Sequence, residues 1–362
     1  MRTLLFTFLR RAGLLLVLLF AFGENALVAQ PDLLPWCQEN QDRVSLYWLE
    51  DGEPIAEHQA GIPRPLASTV KLLLAAEFAQ RAGKGLMDAE LMVPTEGLAT
   101  FHWSTTDGGA HTAWLAWARE KDLIQDDAVP LWAVVQGMIG FSSNANAEYL
   151  MRLLGKEEIL DLGRQWGMPS HTPLVPLVGS LVAAQNEPGP PHLRAKALRE
   201  RPDATYLDNA WTWSDSLAGD YDGRWTTSQT MVDLSLQRVW SSHLSAASAT
   251  DYANFADRLN QREGLDDSTI PWLEQSVEFW RGNDGAMLRA GGKGGSTGFL
   301  LNQCLYATRE DGSRFAVALF IHDLNPVEMA ILSQSLREFE AQLMAVPGIS
   351  DEWSHYFPVD GE

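Results

Sequence analysis

Apolar and polar positions alternate over residues 43–60 on either side of Asp51-Gly52. That period-two pattern around a turn dipeptide predicts a strand pair. Residues 68–82 are continuous helix formers with neither Gly nor Pro, so the spacing predicts a helix with Ser68 at its start. Residues 110–121, 130–139 and 144–154 read as further helices. The stretch from Asn186 to Arg224 is rich in Pro, Gly and Asp and reads as a long loop or insertion. Its aromatic residues, Tyr206, Trp211, Trp213 and Tyr221, are expected to pack the lobe rather than line a cleft. A helix is expected to resume near Ser228.

From Lys293 the pattern changes again. Residues 299–308 and 314–322 are β-prone runs joined by Glu310-Asp311-Gly312, a second hairpin. Residues 326–345 carry Leu332, Leu336, Phe339 and Leu343 on one helical stripe. The order strands, helices, strands, helix predicts an α+β protein. Its first and last segments share one antiparallel sheet flanked by helices. An all-helical lobe (about residues 67–225) is inserted between them, with the active site between sheet and lobe. The acidic tail over 351–362 is expected to be loose.

The first 29 residues stand apart from this pattern. Arg2, Arg10 and Arg11 precede the unbroken apolar run Leu14–Phe22, and small residues lead to a cut site after Ala29. This is the layout of a secretory signal peptide, with an uncut anchor as the alternative. The run is short for a bilayer span, and no later segment is longer and apolar. The mature domain, 30–350, is therefore expected in the periplasm or secreted, as a monomer without stable membrane insertion. A formal net charge of −20 sets the surface against phosphate backbones and excludes a nucleic-acid partner. Cys37 and Cys304 are the two cysteines. In an oxidising compartment they read as one disulfide, with two buried thiols as the alternative. They are too few for a structural zinc site, and no metal or cofactor is expected.

Three short patterns carry candidate chemistry. Ser68-Thr69-Val70-Lys71 places an amine beside a hydroxyl on one helical face, and a serine needs such a base to become nucleophilic. Alone, the pattern also fits a capping Ser and a surface Lys. However, Leu-Leu-Leu-Ala-Ala follows Lys71, so the helix reads as buried, and a buried Lys needs a reason. Ser142-Ser143-Asn144 stands before a helix, and Gly292-Lys293-Gly294-Gly295-Ser296 before the last strands.

In this order the three patterns resemble the Ser-x-x-Lys, Ser-x-Asn and Lys-[Ser/Thr]-Gly elements of the serine β-lactamase and D,D-peptidase superfamily. Class A β-lactamases are the most similar branch. Leu66–Leu73 is similar to their nucleophile helix, Met138–Ala147 to their Ser-Asp-Asn segment, and Trp225–Leu234 to the helix after their omega loop. The resemblance covers roughly residues 40–346. It implies a β-lactamase/transpeptidase-like fold and an acyl-enzyme at Ser68. Lys71 takes the Ser68 proton, and Ser142 relays a proton to the leaving nitrogen. Asn144 binds the substrate amide and holds Lys71. Lys293 faces a substrate carboxylate. Gly295 and Ser296 line the substrate, with the backbone N–H groups of Ser68 and Ser296 as oxyanion hole. The implied partner is a small β-lactam or a D-Ala-terminated peptide.

Three departures qualify that reading. The middle residue of Ser-Asp-Asn is Ser143. The middle of Lys-[Ser/Thr]-Gly is Gly294, so a hydroxyl for the substrate carboxylate is missing, and Ser296 is a candidate replacement. Glu187-Pro188 stands where a water-activating Glu is sought, but the family's Leu-Asn does not follow. Without that Glu, acylation survives and rapid deacylation does not. The expectation is thus a class A-like hydrolase of β-lactams or related amides. The alternatives are a D-alanyl-D-alanine-type carboxypeptidase or esterase, or a slow penicillin-binding protein. A silent binding domain is disfavoured, because Ser68, Lys71, Ser142, Asn144 and Lys293 are all present.

Overall fold

The Asp51-Gly52 turn joins β1 (Val44–Glu50) to β2 (Glu53–His58), as the alternation predicts. A computed structural model describes residues 32–103, 107–219, 233–279, 287–345 and 348–359. The leader expected over 1–29, the helix start near Ser228 and Tyr221 lie outside them.

The chain enters through α1 (Leu33–Glu39), which precedes β1. The lobe follows: α2 (Lys71–Gly83), α3 (Ala110–Glu120), α4 (Leu131–Gly140), α5 (Asn144–Leu154), α6 (Leu177–Gln185), α7 (Pro191–Arg199), α8 (Asp203–Ala218) and α9 (Leu234–Ser242). Then α10 (Ala249–Gln261) leads to β3 (Met287–Ser296), β4 (Leu301–Arg309) and β5 (Arg314–Ile321). The chain closes with α11 (Pro326–Ala345) and α12 (Ile349–Tyr356). The five strands form one antiparallel sheet in the order β2-β1-β5-β4-β3, so the first and last segments share it and β3 is an outer strand.

Each strand's alternation sorts its side chains onto two faces. Leu46 and Trp48 of β1 and Val317 and Leu319 of β5 meet α1, α11 and α12. Leu49, Cys304, Tyr306, Ala318 and Phe320 meet α10 and the lobe, where the Tyr252 ring stands edge-on to Phe320 at 5.9 Å. Cys37 lies in the first layer and Cys304 in the second. The sheet separates them, so both are free buried thiols and the expected disulfide does not form. Their burial pushes both thiols above the usual range.

The segment expected to be a long loop or insertion forms α7 and α8 over its described residues. Its prolines mark helix starts: Pro190 precedes α7, Pro191 is its first residue, and Pro202 precedes α8. Proline suits the first helical position, where its missing N–H has no partner to lose. Tyr206 and Trp211 are buried along α8 and pack the lobe, as expected.

The expected loose tail is also a helix. Asp351 and Glu352 sit in the first turn of α12, where negative charge complements the helix dipole. Trp353 inserts between Phe339 (4.8 Å between rings), Phe357 (6.0 Å) and Trp48 (6.4 Å). Trp353→Ala is therefore expected to cost about 3–5 kcal/mol in denaturant unfolding, as large-to-small core changes do. Unchanged stability would show the helix to be dispensable.

Candidate active site

Ser68 stands on a single 3-10 turn, Ala67–Val70, and α2 begins only at Lys71. Residues three apart eclipse on a 3-10 turn, which sets Lys71 directly under Ser68. Ala67, immediately before the nucleophile candidate, has φ +47°, a left-handed conformation that costs energy for a residue with a Cβ.

The Lys71 side chain is 0 % exposed. Its Nζ lies 2.7 Å from the Ser142 carbonyl oxygen, 2.7 Å from Asn144 Oδ1, 2.9 Å from Ser68 Oγ and 3.3 Å from Ser142 Oγ. Burial, and then the charge of Lys293, hold the amine well below the usual 10.5; Asp107 pulls the other way. A neutral amine has two N–H bonds and one lone pair. The two carbonyl-type oxygens at 2.7 Å take the N–H bonds, which leaves the lone pair for the Ser68 hydroxyl proton. The geometry therefore suits a base once the amine is neutral, the form that its burial favours.

Ser142-Ser143-Asn144 joins α4 to α5. Ser142 has φ +66°, a second strained position. Ser143 caps α5: its Oγ accepts from Asn146 N at 3.2 Å, and its own N–H donates to the Gly137 carbonyl at 3.2 Å. The buried His111 of α3 completes the support, with Nδ1 3.1 Å from both Ser143 Oγ and Asn146 Oδ1. A hydroxyl thus suffices where the Ser-Asp-Asn pattern has a carboxylate, because the position caps a helix and lies against a histidine. Burial and the neighbouring His102, 4.7 Å away between rings, push His111 down to about 4. Nothing in the helical pattern of residues 110–121 marked His111.

On β3, Gly295 lies against the nucleophile turn. A Cβ there would stand 2.4 Å from the Leu66 carbonyl and 2.6 Å from Thr69 N. The strand backbone can approach so closely only as glycine, and Ser296 follows it, exposed. Lys293 is 8 % exposed and donates to the Gly294 carbonyl at 2.7 Å. Burial pushes it down to about 8, opposed by Glu340 of α11 across the sheet. Lys293 reaches Lys71 through its charge, while its hydrogen bond stays on its own strand.

Ser68, Lys71, Ser142 and Asn144 are thus brought together around one amine, with Lys293 and Gly295 adjoining. Glu187 is held elsewhere. It sits between α6 and α7 in an ion pair with Arg201 at 2.7 Å and is 7 % exposed. The buried Glu148 is committed too: its two oxygens accept from Val178 N at 2.9 Å and Gly179 N at 3.0 Å at the start of α6.

The family model described as the beta-lactamase enzyme family matches residues 31–338. No curated protein sequence matches the chain. Among solved structures, a beta-lactamase from Sphaerobacter thermophilus DSM 20745 is 15% identical with a TM-score of 0.52, over 87% of this chain and 98% of that one. A beta-lactamase from Chitinophaga pinensis DSM 2588 is 14% identical with a TM-score of 0.51, over 86% and 100%. The TLA-3 extended-spectrum beta-lactamase is 12% identical with a TM-score of 0.52, over 87% and 98%. At these identities the likeness is one of fold.

The support under Ser143 is testable by pH. His111 binds its proton less tightly folded (about 4) than unfolded (about 6.5). Its contribution to stability is therefore complete above pH 6.5 and is lost as pH falls towards 4. Unfolding free energy should fall more steeply over that window in the wild type than in His111→Asn. Parallel curves would contradict the assignment.

Proposed function

The chain belongs to the beta-lactamase enzyme family, serine hydrolases acting on amide bonds, and from that premise we propose that it is exported and forms an acyl-enzyme at Ser68 with β-lactams or related amides. The observation that carries the reading is the buried Lys71 amine, 2.9 Å from Ser68 Oγ, with its two N–H bonds taken by Ser142 and Asn144. The neutral amine takes the Ser68 proton as Oγ attacks the amide carbonyl. The backbone N–H groups of Ser68 and Ser296 hold the developing oxyanion. Ser142 Oγ, 3.3 Å from Lys71 Nζ, passes the proton on to the leaving nitrogen. Asn144 fixes the amine and meets the substrate's side-chain amide, and Lys293 supplies positive charge. Export rests on the basic and apolar layout of residues 1–29. No described helix is long and apolar enough to cross a membrane.

A second reading concerns the fate of the acyl-enzyme, and the Glu187–Arg201 pair favours it. A carboxylate tied up in an ion pair does not activate a water at Ser68. The acyl-enzyme then persists, as in a slow penicillin-binding protein or a peptidase that prefers another acceptor.

A fluorescent penicillin separates these outcomes. The wild type should label covalently and Ser68→Ala should not; equal labelling of both would sink the nucleophile assignment. Lys71→Ala should slow acylation by about 10²–10⁴-fold. Persistent label points to the second reading, and transient label with turnover of a chromogenic cephalosporin to a β-lactamase. Glu187→Gln should leave turnover within about twofold while losing about 1–3 kcal/mol of stability, since Arg201 is left unpaired. A large loss of turnover at normal stability would return Glu187 to the mechanism.

A further inference from the structure

The two N–H groups assigned to the oxyanion come from separate elements. Ser68 stands on the nucleophile turn, and Ser296 is the last residue of β3. Such a pair works only at a set spacing, because a donor moved by about 1 Å loses most of its effect. β3 is an outer strand, and Ser296 ends it exposed. Something beyond strand pairing has to fix that end relative to Ser68.

One short segment meets both halves. At the end of α9, Ser241 is 1 % exposed and its hydroxyl donates to Thr297 Oγ1 at 2.8 Å. Ser242 beside it bonds its own helix, at the Val239 carbonyl, whereas Ser241 reaches out to another element. Thr297 directly follows Ser296. Its Oγ1 also accepts from Phe299 N at 3.1 Å, and its N–H donates to the Leu300 carbonyl at 3.1 Å. The turn between β3 and β4 is therefore gathered on this one hydroxyl. Four residues after Ser241, the Ser245 carbonyl accepts from Leu66 N at 2.8 Å. Leu66 opens the nucleophile turn, and its own carbonyl is the atom that Gly295 approaches. The segment is itself held to the lobe. Trp240 Nε1 donates to Ser180 Oγ of α6 at 3.0 Å, and Ser245 Oγ accepts from Val175 N at 2.9 Å.

We infer that Ser241 is a positioning residue for the oxyanion hole. Its hydroxyl holds Thr297, and through it the Ser296 N–H, at a fixed distance from the Ser68 N–H that the same segment anchors through Ser245. The inference rests on the acyl-enzyme reading above. Ser241 lies outside the three motifs, and its role comes from the two ends of the chain that its segment joins.

The test follows acylation of Ser68 by benzylpenicillin in stopped flow, together with the infrared carbonyl band of the acyl-enzyme. Ser241→Ala should lower the acylation rate constant by about tenfold or more and leave the noncovalent dissociation constant within about twofold. Its ester carbonyl band should move to higher wavenumber, because a weaker hydrogen bond polarises the carbonyl less. The midpoint of its pH–rate profile should stay at the wild-type value, since Lys71 is held by Ser68, Ser142 and Asn144. Thr297→Val removes the same contact from the other side, so a folding defect in one variant leaves the other to decide. It should lose as much as Ser241→Ala, Thr297→Ser should restore the rate, and the double variant Ser241→Ala/Thr297→Val should be no worse than either single one. An unchanged rate constant and carbonyl band would overturn the positioning role and leave the acyl-enzyme reading standing. So would a loss that appears equally in the dissociation constant. A wild type that does not label at Ser68 would overturn both.

Discussion

An amine sealed from water, with no carboxylate bonded to it among the described residues, is the constraint on which the rest of the site depends. Lys71 makes its close contacts to two carbonyl-type oxygens and two hydroxyls. Desolvation disfavours its charged form, and the second lysine, Lys293, adds to that effect. An ordinary surface lysine would be a cation and no base. The helix that carries it, flanked by Leu72, Leu73 and Leu74, excludes the water that would restore the charge.

Holding that amine requires backbone that the chain would not adopt freely. Ala67 and Ser142, one on each side of Lys71, both have positive φ. Each is fixed by its surroundings: the first by the strand backbone at Gly295 pressing on the nucleophile turn, the second by the Ser143 cap and His111. The strain therefore sits on Ser142, whose oxygens meet the amine, and on the residue before Ser68, and the sheet and lobe together supply the packing that maintains it.

Much of this was legible in the chain. The hairpins, the sheet shared by first and last segments, and the amphipathic α11 follow from periods of two and 3.6. Ser68, Lys71, Ser142 and Asn144 were legible because each motif is local. Misreadings arose where one signal has two meanings. Pro190, Pro191 and Pro202 signalled a loop and in fact begin helices. Asp351 and Glu352 signalled a loose tail and instead favour the start of a helix anchored by Trp353. Cys37 and Cys304 suggested a bridge, but only the strand register shows that a sheet lies between them. His111 and Glu340 carry no local pattern at all. Their meaning comes from pairing across strands and helices far apart in the chain.

The central claim is that burial holds the Lys71 amine well below the usual lysine range, so that it can serve as the base for Ser68. The most direct measurement is the NMR titration of the Lys71 side chain, assigned by comparison with Lys71→Arg. The account predicts an amine that loses its proton well below the usual lysine range. A Lys71 signal that stays protonated up to the range of an exposed lysine would contradict it.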